Sequence, residues 1–259
     1  MKGWKIFLGI GISVVLIGII VFIIGLWLNG WKFTVEYETK TYNSVGEVAK
    51  LDLNLSAGEM SVEFYDGDTV EVTYPDSFQF GYAVSEEDGE LTLSHRGGTF
   101  IWFGLNKIPP ITVKIPNGKV VDLECSLSAG KARIADGEFK NFRLSLSAGT
   151  ATVGKIKCGS CDVKLSAGSV HMSGAECGTF SVKLSAGSVS AERVKSDKIG
   201  CKLSAGSVRL GVIGEESAYS VSVDKSAGSC NLHPRTGTDA GKTIDVDLSA
   251  GSVNIGFTD

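Results

Sequence analysis

Neither a block of like charge nor a long polar linker interrupts this chain of 259 residues, so extended disorder is excluded. Basic residues are in deficit. With Lys2, Lys5 and Lys32 set aside, 22 of the 25 Lys and Arg residues face all 29 acids beyond residue 32. That net of about −7 argues against nucleic acid as the main partner. Histidine is scarce, with His95, His171 and His233 the full set. None stands at a recognisable spacing from a Ser or Cys nucleophile and an acid, so no catalytic residue is assigned. Cys158-Gly-Ser-Cys161 is the single CxxC and lacks a second pair or a histidine at zinc spacing, so no metal is expected. Gly237-Thr-Asp-Ala-Gly241-Lys242-Thr243 is one residue short of a phosphate loop and leads into a strand, so no cofactor is expected either.

Charge is missing altogether from Ile6 to Leu28. Those 23 residues, at about 1.5 Å each, are long enough to cross a hydrocarbon core of roughly 30 Å. Lys2 and Lys5 precede the run, so the N-terminus is expected in the cytoplasm, and Trp27 and Trp31 fall near the far interface. No Ala-x-Ala-like site follows, which favours a retained anchor over a cleaved signal. Residues 1–32 therefore read as a cytoplasmic stub and transmembrane signal anchor of a single-pass cell-membrane protein. Gly11, Gly18 and Gly25 recur every seven residues, a small-residue stripe through which such helices could self-associate.

What the chain has in excess is one tetrapeptide. Leu-Ser-Ala-Gly, with one Lys-Ser-Ala-Gly variant, occurs at Ser56 and then at Ser128, Ser147, Ser166, Ser185, Ser204, Ser226 and Ser249. From Ser128 on, steps of 19 to 23 residues mark a stacked-coil protein. Before each serine, apolar Cys125, Leu144, Val163, Val182, Cys201, Val223 and Val246 alternate with a polar column and then with leucine, as in a strand with one buried face. After the motif the parity shifts by one. Ser-Ala-Gly is thus read as a structural corner rather than a binding site, its close approach or positive φ met by Gly130, Gly149, Gly168, Gly187, Gly206, Gly228 and Gly251. Residues 122–259 are expected to form seven coils, each pairing in register with the next at about 4.8 Å. The last coil ends without an obvious cap, which leaves an edge either covered or used for assembly.

Residues 33–121 carry further alternating segments and the early motif at Ser56, so this β-rich part is expected to begin the stack and leave it through hairpins. Phe100, Trp102 and Phe103 form an aromatic stretch that reads either as a lid on the core or as a partner- or membrane-facing patch. Of six cysteines, most fall in inward columns and pack as small hydrophobes. Cys158 and Cys177 occupy equivalent positions in adjacent coils, within reach of a disulfide. The most unusual surface feature is the column Lys164, Lys183, Lys202, read either as a solvated face or as a ladder receiving an anionic wall polymer or lipid headgroups.

The stretches Ile111-Thr-Val-Lys-Ile-Pro116, Leu123-Glu-Cys-Ser-Leu-Ser-Ala-Gly130 and the recurring Leu-Ser-Ala-Gly-Ser-Val resemble the bacterial putative-adhesin family of β-strand-repeat proteins of unknown function. That family includes membrane-anchored envelope proteins of Lia-type stress operons. The resemblance covers residues 50–259 and implies an extracytoplasmic β-helix-like domain with no catalytic residues to carry over. The expected architecture is all-β, a single-stranded right-handed β-solenoid behind one membrane helix. The expected role is a non-catalytic interaction or sensing module of the bacterial envelope, partnered by an anionic polymer or an envelope protein. Two other classes remain open: a self-assembling, bactofilin-like polymer and, more remotely, a carbohydrate-active enzyme.

Overall fold

A computed structural model describes residues 15–25, 27–28, 36–77, 81–96 and 108–258. Residues 15–25 and 27–28 are helical. No helix among the described residues is long and apolar enough to cross a membrane, and the remainder of the expected anchor lies outside them. Six strands open the β part: β1 (Glu38–Asn43), β2 (Lys50–Leu55), β3 (Glu59–Tyr65), β4 (Glu71–Asp76), β5 (Gly81–Glu87) and β6 (Glu90–Arg96). The repeats run through β7 (Ile111–Pro116), β8 (Val121–Ile134), β9 (Gly137–Leu165), β10 (Ser169–Leu184), β11 (Ser188–Leu203) and β12 (Ser207–Ile213). After a short 3-10 turn at Glu216–Ala218 come β13 (Ser220–Lys225), β14 (Ser229–Cys230), β15 (Thr243–Leu248) and β16 (Ser252–Thr258).

Successive coils pair in parallel and in register, Lys183 with Lys202 and Leu184 with Leu203, for example. Between β10 and β11 the pairing falls into three runs, starting at Ser169–Ser188, Ala175–Val194 and Thr179–Lys198. In β10 the in–out alternation breaks at Gly174–Ala175 and at Gly178–Thr179, and again at the Ser-Ala-Gly motif that follows. These central coils therefore bend three times, not only at the motif, and wrap the core on three sides. Inward residues such as Val163, Met172, Phe180, Val182 and Val194 are at most 1% exposed. Burial of such columns in one continuous core is what holds a coil that has no stable fold alone.

The order of the coils departs from the chain order, which corrects the expectation that each coil pairs with the next. The last coil, β15–β16, lies between the coil of β11–β12 and that of β13–β14: Leu203 pairs with Leu248, which pairs with Lys225. On the neighbouring side Val208 pairs with Val253, which pairs with Cys230. Backbone bonds agree, with Ser249 N–H donating to Leu203 O (2.8 Å) and Ser226 N–H to Leu248 O (2.9 Å). Lys225 supplies the reason. It is the one lysine in a column of inward leucines, and a lysine held between two buried layers would lose its hydration without a partner. In the outermost position Lys225 is exposed, while Leu248 beneath it is 1% exposed. The end is then closed by the segment after β14, where Arg235 bridges antiparallel to Val221 and its guanidinium bonds the Glu216 carboxylate (2.6 Å) and carbonyl.

The N-terminal end repeats the device. The first coil, β2–β3, carries the motif at Ser56 and sits between β8 on one side and β6 and β7 on the other. β5 pairs antiparallel with β6, while β4 and then β1 extend β7 antiparallel. Strands β4 to β7 therefore leave the stack and return to cover its end.

Asp76, 6% exposed, fastens this end through Lys40 (2.6 Å) and Arg96 (2.7 Å). The hydrogen bond from Lys40, helped by the Arg96 charge, holds its carboxyl below the usual carboxylate range. A lowered folded pKa stabilises above the unfolded value of about 3.9 and is lost as pH falls through the folded value. Asp76→Asn is therefore expected to lower the urea midpoint at pH 7, with the gap to wild type closing below about pH 4. A gap unchanged from pH 7 to pH 2 would show that the charge of Asp76 contributes nothing.

Candidate functional site: a charged trough on the terminal coils

The motif serines are all exposed, from Ser56 through Ser128, Ser147, Ser166, Ser185, Ser204 and Ser226 to Ser249. Their glycines have positive φ, from 94° at Gly228 to 132° at Gly130. A Cβ built at Gly149 would overlap Gly130 O, and the same overlap recurs along the stack at Gly168, Gly187, Gly206, Gly251 and Gly228. The glycine is therefore required by close backbone approach, which gives these positions a structural role.

Cys158 and Cys177 face each other in register, each 8% exposed, and all six cysteines are free thiols in this structure. The neighbouring Cys161 thiol, with burial, pushes Cys158 up to about 12, and Cys158 together with burial raises Cys177. Such thiols form little thiolate and react slowly. In the native protein at pH 7, maleimide is expected to reach at most the half-buried Cys230 within minutes, with six thiols counted after denaturation. A count of four would show one bridge, for which Cys158 and Cys177 are the pair facing each other in register. Among the described residues no three potential metal ligands cluster. Phe100, Trp102 and Phe103 lie outside the described residues.

Lys164, Lys183 and Lys202 line up in register and are all exposed. The intercalated coil continues their column with Asp247, and the outermost coil adds Asp224. Only the junction is neutralised: Lys202 Nζ lies 2.7 Å from Asp247, and that hydrogen bond raises the lysine pKa. Lys164, Lys183, Asp224 and Asp245 make no ion pair among the described residues. Beside this column runs one of smaller residues, Ser181, Gly200, Asp245 and Ser222. Gly200 leaves open space where a Cβ would stand. The two columns border a trough of about 320 Å³, with lysines at one end and aspartates at the other. Asp245 and Gly200 were not singled out from the sequence, because their placement depends on the coil order; the signal available was Lys225 in a leucine column.

A second outward column handles charge differently. Glu138, Lys157, Glu176 and Lys195 alternate in sign across successive coils, with Glu138–Lys157 at 3.5 Å and Glu176–Lys195 at 2.9 Å. That column neutralises itself; the trough keeps its charges apart.

An all-β protein of in-register parallel coils, covered at both ends and bearing a charge-segregated trough, is the class that fold and site define. The chain belongs to the Toastrack DUF4097 family, whose model matches residues 48–258. Solved structures similar to it include a "putative adhesin" from Bacteroides fragilis at 13% identity, covering 85% of this chain and 98% of the other with a TM-score of 0.38. A "putative cell adhesion protein" from Clostridium sporogenes is 14% identical, covering 86% and 100%, with a TM-score of 0.28. A "putative lipid binding protein" from Parabacteroides distasonis is 11% identical, covering 86% and 97%, with a TM-score of 0.38. No curated protein matches the chain.

Proposed function

We propose that this protein is a non-catalytic interaction or sensing module of the bacterial envelope, anchored in the cell membrane by residues 6–28 with its β domain outside. The observation that carries this reading is the helix. Val15, Leu16, Ile17, Ile19, Ile20, Val21, Ile23 and Ile24 are 46–61% exposed, so apolar side chains point outward on every side. A helix apolar all round calls for a bilayer or a protein partner. Lys2 and Lys5 before it favour a cytoplasmic N-terminus. The coils are proposed to wind right-handed, the hand taken by parallel strands joined by crossovers; a crystal structure of the β domain reads that hand directly. Asp224, Asp245 and Asp247 share one face and stand exposed to water beside the lysine column, which fits a binding role. End-on polymerisation is disfavoured because a cap would have to be displaced at each end.

Orientation is tested by introducing Ser226→Cys at an exposed corner and adding a membrane-impermeant maleimide to intact cells. Labelling without permeabilisation is expected. Labelling only after permeabilisation, or recovery of the protein in the soluble fraction, would overturn the proposal.

A further inference from the structure

We infer that the trough on the terminal coils binds a short peptide carrying a free amino and a free carboxylate end, rather than a polyanion; the inference deepens the proposed envelope-binding role and rests on it. A polyanion lying along the lysine column would meet Asp247 two steps and Asp224 three steps beyond Lys183 and be repelled there. The trough offers one free cation, Lys183, and two free anions, Asp224 and Asp245, while Lys164 lies one step outside its lining, beside Asp162. Their separation sets the length of the ligand. From Lys183 to Asp224 there are three register steps, about 14 Å at roughly 4.8 Å each. An extended peptide of four residues spans about 13–14 Å.

The floor is consistent with such a chain. Ser181, Gly200 and Ser222 keep it low, and Lys202 with Asp247 supplies a donor and acceptors midway for the peptide backbone. Stacked like charges are unfavourable in the free protein, and the alternating Glu138–Lys157–Glu176–Lys195 column shows that this fold accommodates the neutral arrangement elsewhere. A dipolar ligand placing its carboxylate by Lys183 and its ammonium by Asp224 and Asp245 offsets both like-charge stacks at once. Binding should weaken with salt, since every group involved is exposed.

The experiment is calorimetric titration of the full chain in detergent micelles with tetra-alanine, its N-acetyl and C-amide forms, and polyphosphate. Tetra-alanine is expected to bind with a Kd of about 1 mM or tighter, and removing either terminal charge to weaken it about fivefold or more. Lys183→Glu and Asp224→Lys should each abolish detectable binding. The double variant should recover it to within about fivefold, a rescue that a purely structural role of either residue would not give. No heat with tetra-alanine at 10 mM, indifference to the end charges, or tighter polyphosphate binding that ignores Asp224 would each overturn the inference. Cosedimentation of the same protein with isolated wall and membrane fractions separates the two levels. Binding there without tetra-alanine binding overturns the peptide inference alone, and binding to neither removes the envelope role as well.

Discussion

Leu248→Lys should cost about 4 kcal/mol or more and melt the C-terminal end of the stack well before the rest. The side chain is 1% exposed and sits between Leu203 and Lys225. Replacing it removes a buried leucine, worth about 2–5 kcal/mol when truncated, and places an unpaired ammonium between two layers. Lys225→Leu should behave in the opposite way. Its stability should stay within about 1 kcal/mol of wild type, but the end layer would lose the charge that blunts its edge. Concentration-dependent association of the isolated β domain in sedimentation velocity is therefore expected for Lys225→Leu and not for wild type. In the double variant the lysine has moved to the last coil, so stacking in chain order becomes the favourable arrangement. At least half of the lost stability should return. A Leu248→Lys protein that melts with wild type would refute the account of coil order given by Lys225.

Gly149→Ala is the second large effect, expected at about 3 kcal/mol or more in a chemical melt. Gly149 has φ of 122°, and its added methyl would overlap the carbonyl oxygen of Gly130 in the coil below. Backbone strain of about 1–3 kcal/mol adds to overpacking of similar size, and in-register stacking leaves no side chain to move aside. Gly256→Ala provides the control. That glycine lies in a strand with open space around its would-be Cβ and no positive φ, so a change within about 0.5 kcal/mol is expected. Equal losses at the two sites would mean that the corner tolerates a side chain and that its glycine is not structurally required.

The repeat itself was readable because a stacked-coil fold writes its geometry into one dimension. A period of 19 residues, inward columns and a glycine at each corner follow from local sterics and the two-residue alternation of strands. The other two bends of the central coils left weaker marks: a Gly-Ala step at Gly174 and a Gly-Thr step at Gly178 in β10, without a shared tetrapeptide. The lysine ladder was visible as a column, yet its meaning changed with its neighbours. Aligned by chain order, the last two rows were only two aspartates at an open end. Stacked as they are, they bring Asp247 against Lys202 and Asp245 beside Gly200, forming a trough instead of a continuous basic stripe.

By itself, then, the amino-acid sequence determined the strand alternation and the corner, since each depends on residues within one turn of the stack. Only the tertiary structure decided which coil lies on which. Every Leu-Ser-Ala-Gly coil offers nearly the same parallel edge, so local pairing cannot rank the alternatives. The ranking comes from burial: Lys225 is tolerated only where one side of its layer meets water, and the final coil is drawn inward to take its place.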